Sequence, residues 1–183
     1  MSGKTHRATI FLEDARLLAR EAFAGEQFIL RLEAPRCARA ATAGSFIHIT
    51  CDVSIPMRRP LSIMRADPAG GWIEVLYKIV GPGLRQLSAQ PVGASLSVIG
   101  PIGHGFIVHR DRPRTLLLGG GVGIPPMIFL AESLKERRAE GWQPLVLMGS
   151  EIPFPFRPRA STIMVPGIPA GVIACMPLLE EWQ

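Results

Sequence analysis

The chain has 183 residues, 48% of them hydrophobic, enough for one large domain or two small ones with a buried core. Its net charge of +5 is scattered, with no run of five like charges and only 7% aromatic residues, which argues against a nucleic-acid surface. Cys37, Cys51 and Cys175 show no metal-ligand spacing, their odd number argues against a disulfide framework, and no apolar stretch approaches the ~20 residues of a membrane span; with a polar N-terminus, a cytoplasmic protein is expected.

The 19 glycines and 17 prolines suit a turn-rich β protein. His6 to Glu13 reads as a first strand, with Ala8, Ile10 and Leu12 on one face. Arg16 to Ala24 is ambiguous, because its helix propensity is high but the segment is short. Gln27 to Leu32 alternates as a strand does, Arg36 to Gly44 is a small, polar loop, and Phe46 to Cys51 is a β-branched strand. Arg58-Arg59-Pro60-Leu61-Ser62-Ile63 supplies a fourth strand. Trp72 to Ile79 is a fifth, with Ile73, Val75, Tyr77 and Ile79 on one face, and Leu96 to Ile99 a sixth. Six short strands with frequent turns predict a small antiparallel barrel or sandwich. Gly81-Pro82-Gly83 breaks the fifth strand, and Leu84 to Ser88 can then form a single helical turn.

After the charged stretch from His109 to Arg114 the pattern changes, and the domain boundary is placed there: 1–109 form one domain and 115–183 a second. Thr115 to Leu118 reads as a buried parallel strand. Gly119-Gly120-Gly121-Val122-Gly123 follows, and Ile124-Pro125-Pro126 opens a helix to about Glu140 with Met127, Leu130, Leu134 and Arg138 on one face and Gly141 as its stop. Leu145 to Met148 completes a βαβ unit. Beyond Gly149, Pro153-Phe154-Pro155-Phe156-Arg157-Pro158 fits no regular element, Ser161 to Val165 is a short-strand candidate, and Ala170 to Glu181 contains Pro177 and lacks a cap. A parallel sheet this small cannot cover itself, so the chain stops early or another chain, such as a second copy, completes the layer.

Two stretches carry chemistry. Pro60 fixes its own φ and holds Arg59 extended, while Leu61 and Ile63 point opposite to Ser62. The planar guanidinium fork suits a pyrophosphate, and the small hydroxyl suits a ring nitrogen or carbonyl. Gly119 to Gly123 lies between a strand and a helix, where backbone N–H groups can receive phosphate, although Ile124 departs from the G-x-G-x-x-G fingerprint and a tight structural turn is the alternative.

Arg59-Pro60-Leu61-Ser62, Leu76-Tyr77-Lys78, Gly81-Pro82-Gly83-Leu84-Arg85-Gln86-Leu87-Ser88, Gly100-Pro101-Ile102-Gly103-His104-Gly105-Phe106 and Gly119-Gly120-Gly121-Val122-Gly123-Ile124-Pro125-Pro126 occur in order and at fitting distances. Together they resemble the electron-transfer subunit of dihydroorotate dehydrogenase B, within the ferredoxin reductase superfamily, from about residue 6 to about 150. The resemblance implies a six-stranded FAD barrel followed by a partial α/β domain for NAD(P)H. It implies that Arg59 holds the FAD pyrophosphate, Pro60 shapes the strand, Leu61 belongs to the cofactor site, and Ser62 bonds the flavin ring. Leu76, Tyr77 and Lys78 would line the cofactor site, Gly83 and Leu84 would approach its phosphates, and Gly119, Gly120, Gly121 and Gly123 would face the nicotinamide nucleotide. It also implies a partner oxidoreductase, such as an FMN-containing dihydroorotate dehydrogenase subunit. Leu84 stands where the family has Thr, and His104 where it often has Asn. The family's C-terminal loop for a [2Fe–2S] cluster finds no match, so no cluster is expected in this chain. Competing readings are the reductase subunit of a hydrogenase, glutamate synthase or sulfide-reducing complex, and a non-catalytic interaction module.

Overall fold

The computed structural model describes residues 9–109, 111–137, 140–142, 144–162 and 174–182. Strands β1 (Phe11–Phe23), β2 (Gln27–Glu33), β3 (Phe46–Ile49), β4 (Arg59–Asp67), β5 (Trp72–Lys78) and β6 (Ser95–Ile102) close a barrel in the order β1-β2-β5-β4-β3-β6. The alternative of a sandwich is thereby resolved. Alternate residues point inward, and Leu17, Leu30, Leu32, Ile47, Ile49, Ile63, Ile73 and Val75 are fully buried. Burying each such side chain contributes about 1.5–3 kcal/mol.

Two local expectations change. The ambiguous Arg16 to Ala24 segment is the second half of β1, whose first half pairs with β6 and whose second half pairs with β2. Pairing along the whole strand outweighs its helix propensity. The expected start of that strand at His6 lies outside the described residues. In the expected loop at 36–44, a short helix, α1 (Pro35–Ala40), forms with proline in its first turn. Its free N–H groups are capped from a distance: the Glu13 carboxylate accepts from the N–H of Arg36 at 2.9 Å and of Cys37 at 2.7 Å.

Helix α2 (Pro82–Ala89) is longer than a single turn and plugs one barrel end with Leu84 and Leu87. Arg20 donates to the carbonyls of Ser88 (2.6 Å) and Gln90 (2.8 Å) at its C-terminus, where the helix dipole favours a cation.

Strands β7 (Leu116–Gly120) and β8 (Leu145–Gly149) pair in parallel, with α3 (Ile124–Lys135) between them in sequence. Helix α3 lies on the outer face of the barrel. Ile124 and Ile128 pack with Met64 of β4 and Leu76 of β5, and Arg65 grips Glu132 at 2.6 and 3.0 Å. A bulge in β4 between Ile63 and Arg65 belongs to this contact, with Ile63 in the barrel core and Met64 under the helix. Glu74, only 8% exposed, sits between Arg31 and Arg65. The helix ends at Lys135 rather than Glu140, and Arg138 lies outside the described residues.

The first parallel strand is not buried on both sides. Leu117 and Gly119 face inward, while Leu116 (54%) and Leu118 (65%) are exposed beside Leu145 and Leu147 of β8. The one-layer sheet therefore presents an apolar face to solvent. Leu118→Gln is expected to lower concentration-dependent self-association, read by analytical ultracentrifugation, with little change in thermal stability. Unchanged association would mean that this face is not sticky.

Strand β9 (Arg159–Ala160) pairs antiparallel with β10 (Ala174–Cys175), and Pro177 opens α4 (Pro177–Glu180). The strand expected from Ser161 is thus shifted toward the N-terminus, and 163–165 fall outside the described residues. The Glu180 carboxylate accepts from the Cys175 thiol, the Thr162 N–H and the hydroxyls of Ser161 and Thr162, which holds its pKa down at about 2. Among the described residues no helix is long and apolar enough to cross a membrane.

Candidate functional site

A cleft of about 870 Å³ opens between the barrel and the carboxyl ends of β7 and β8. From the barrel come Pro60, Leu61, Ser62, Leu76, Tyr77, Lys78 and Leu84; from the parallel sheet come Gly120, Gly121 and Val122 after β7, and Gly149, Ser150 and Glu151 after β8. Its size and its mixture of apolar wall and convergent polar groups suit a cofactor. Nine of the thirteen residues singled out in the sequence thus meet in one cavity although they come from four separate segments.

Arg59 and Gly83 meet at the rim. A Cβ on Gly83 would lie 2.9 Å from Arg59 Nε and 3.4 Å from its Nη2, so glycine here is what lets the guanidinium lie over the first turn of α2. That turn has no side-chain cap. An arginine without a carboxylate partner among the described residues therefore stands at an uncapped helix N-terminus, an arrangement that attracts an anion from two directions. Arg58, its neighbour, is committed elsewhere: it donates to the carbonyl and hydroxyl of Ser97 at 2.7 and 2.8 Å and ties β4 to β6.

The two faces of β5 both serve the cleft. Tyr77 is buried and stacks on Phe28 with centroids 5.8 Å apart, while Leu76 packs under α3. The Tyr77 hydroxyl is buried without a hydrogen-bond partner among the described residues. Burial raises its pKa, so it remains a neutral donor. An unsatisfied buried hydroxyl costs ~1–3 kcal/mol, a debt that a bound polar group can offset.

The glycine-rich turn divides into two roles. Gly121 adopts φ +51° and borders open space, as does Gly123. Gly119 is instead enclosed: a Cβ there would lie 2.5 Å from Met148 Sδ and 3.2 Å from the Gly123 carbonyl. Gly119 and Gly123 do not line the cleft, and the first of them is glycine because strand and helix pack closely.

Gln27, Ser150, Glu151 and Ile152 also line the cleft and carry no motif that singles them out in the sequence. Gln27 Nε2 donates to the Pro153 carbonyl at 2.6 Å and the Ala24 carbonyl at 2.9 Å, and Ile152 packs on Gly25, which locks the segment after β8 onto the β1–β2 hairpin. The only available signal was topological: ligands in open α/β sheets lie outside the carboxyl ends of the strands.

The cysteines are not clustered for chemistry. Cys37 is buried and its pKa is pushed up to about 12, and burial also raises that of Cys51. Among the described residues no group of three His, Cys, Asp or Glu gathers as a metal site.

A closed six-stranded antiparallel barrel joined to a parallel βαβ unit is the fold of ferredoxin-reductase-like flavoproteins. The NADH-dependent reduced ferredoxin-NADP oxidoreductase superposes with a TM-score of 0.67 at 26% identity, covering 76% of this chain and 49% of that one. The ferredoxin reductase of carbazole 1,9a-dioxygenase does so with a TM-score of 0.66 at 23% identity, over 77% of this chain and 43% of that one. In sequence the chain resembles the electron transfer subunit of dihydroorotate dehydrogenase B (NAD(+)). It is 35% identical to that of Shouchella clausii over 120 residues, 63% of this chain and 46% of the relative. It is 37% identical to that of Streptococcus pneumoniae over 131 residues, 70% of this chain and 51% of the relative. The chain thus spans about half the length of the curated relatives it matches. No family model matches it.

Proposed function

We propose that the cleft holds FAD and that the chain is a flavin-dependent electron-transfer subunit passing electrons between NAD(P)H and a partner oxidoreductase. The observation that carries this reading is the placement of Arg59 over Gly83 at the uncapped start of α2, at the rim of a cleft lined by Ser62, Leu76, Tyr77 and Lys78. The groups fit: a bidentate cation and helix N–H groups for a pyrophosphate, an apolar slot for a planar ring system, and an unsatisfied Tyr77 hydroxyl beside it.

Roles follow from position. Arg59 and the backbone at Gly83 and Leu84 bind the anionic middle of the cofactor. Ser62, on the cleft side of β4, offers a hydrogen bond to the ring system, and Pro60 and Leu61 fix that strand. Leu76, Tyr77 and Lys78 set the depth of the slot, and Leu84, in place of a hydroxyl-bearing residue, makes its contact apolar. Gly120 and Gly121 leave room for a nucleotide to approach from the parallel sheet, with Gly119 and Gly123 shaping the turn behind them. The chemistry a bound FAD would supply is acceptance of a hydride from NAD(P)H and release of its two electrons one at a time. The protein supplies orientation and electrostatics.

Residues 1–109 take the flavin in this reading and 115–183 the pyridine nucleotide. The partner inferred from the relatives is a dihydroorotate dehydrogenase catalytic subunit, in the cytoplasm, a setting that suits three free cysteines. The test is to purify the chain, release any bound chromophore by heat, and identify it by chromatography. About one FAD per chain is expected, with iron and acid-labile sulfide well below one per chain. A colourless protein that takes up no FAD on titration would sink the proposal.

A further inference from the structure

We propose that the ion pair between Arg65 and Glu132 is a positioning device, fixing α3 on the barrel so that the turn Gly120-Gly121-Val122 stands at the distance hydride transfer needs; this rests on the reading of the cleft as a flavin and pyridine-nucleotide site. The two sides of that cleft belong to different units. Ser62, Leu76 and Lys78 stand on barrel strands, whereas Gly120, Gly121 and Val122 end β7 and run directly into α3. A hydride passes only when donor and acceptor atoms are held close and in line, and a misplacement of about 1 Å can cost about a hundredfold in rate. Whatever sets α3 on the barrel therefore sets the reaction geometry.

Apolar packing alone does not fix that setting. Ile124 and Ile128 are buried against Met64 and Leu76, but such contact is non-directional. The directional bond comes from Arg65. Strict alternation would turn Arg65 the same way as Ile63, into the barrel core. The bulge between them re-aims it, so that Ile63 stays in the core while Met64 and Arg65 both meet α3. Arg65 Nη2 donates to Glu132 Oε1 at 2.6 Å, and its Nε donates to Oε1 at 3.0 Å and Oε2 at 3.3 Å. Behind it Glu74 stands 3.8 Å from Arg65 and is itself held by Arg31 at 2.7 Å, so the guanidinium is anchored to the barrel. The side chains of Arg65 and Glu132 are only 23% and 21% exposed, which leaves the pair weakly screened by salt. The pairs Arg16–Glu33, Arg31–Glu74 and Arg85–Glu26, by contrast, stay within the barrel. Glu132 lies about 12 Å along α3 from Ile124, the residue next to the turn, so the ion pair holds the far end of the helix while apolar contact holds the near end.

The test is a double-mutant cycle on stopped-flow reduction of the FAD-loaded full chain by NADH, which separates the limiting rate from the NADH Kd. Arg65→Met and Glu132→Gln are each expected to slow the limiting rate about tenfold, with FAD content at the wild-type level and Kd changed by less than about threefold. The double variant should be no slower than either single one, because the two side chains act as a unit. Arg65→Lys, which keeps the charge, should recover part of the rate. Tm is recorded for each variant, and Glu132→Gln, which keeps the side-chain volume, decides the matter where Arg65→Met fails to fold. A limiting rate at the wild-type level in Glu132→Gln overturns the positioning role even if Tm falls, since a merely structural pair lowers stability without touching the rate. Losses that multiply to about a hundredfold in the double variant overturn the pair as a unit. A wild-type chain that retains FAD but is not reduced by NADH overturns the nucleotide reading of the cleft, and with it the inference.

Discussion

Arg59→Ala is expected to weaken FAD binding by roughly ten- to a hundredfold, the loss of one charge-assisted bidentate contact worth ~1.5–3 kcal/mol. The geometry makes this a test of binding rather than of folding. Arg59 is half-buried, has no carboxylate partner among the described residues, and rests over Gly83 at the start of α2. Removing it leaves no buried charge unpaired. Arg59→Lys should recover only part of the affinity, because an ammonium keeps the charge but not the fork. Wild-type FAD affinity in Arg59→Ala, measured by titration of the apoprotein, would place the pyrophosphate elsewhere.

Arg58→Ala is the control, with the opposite signature. Its guanidinium donates twice to Ser97 across the barrel, so its loss should cost stability of about 1 kcal/mol while FAD affinity stays near wild type. The strand pairing of β3 with β6 is what brings Ser97 within its reach.

That contrast shows what could be read from the chain and what could not. The barrel was legible because inward residues recur with period two in β2, β5 and β6, a local signal. The Arg59-Pro60-Leu61-Ser62 stretch was legible for the same reason, since proline and alternation fix which way each side chain points. The second half of β1 was not, because Arg16, Leu18, Arg20 and Glu21 favour helix and only pairing with β2 makes a strand. Helix α1 was hidden because its cap, Glu13, lies more than twenty residues earlier. Gln27 and the Ser150 to Ile152 segment were hidden by still greater distance, since the contact that joins them spans 126 positions. Long-range closure, rather than unusual chemistry, decides which part of the site escapes a linear reading.

The glycine-rich turn allows a last separation, between folding and ligand approach. Gly119→Ala is expected to destabilise the chain by about 1–3 kcal/mol or more, because the new Cβ would press on Met148 and on the backbone of Gly123 and Ile124, where strand and helix cannot both give way. The loss should appear as a lower Tm and as loosening of α3, which docks on Met64 and Leu76. Gly123→Ala should behave differently. Its backbone is right-handed, with φ −83° and ψ −10°, and a Cβ there meets nothing within 4 Å. Stability should stay within about 0.5 kcal/mol of wild type, with FAD retained. In the FAD-loaded protein, stopped-flow reduction by NAD(P)H should stay near wild type, since Gly123 lies outside the cleft lining, whereas Gly120→Ala, whose methyl group would enter that lining, should slow reduction by about tenfold or more. If Gly120→Ala is reduced as fast as wild type while Gly119→Ala unfolds early, the turn serves packing alone.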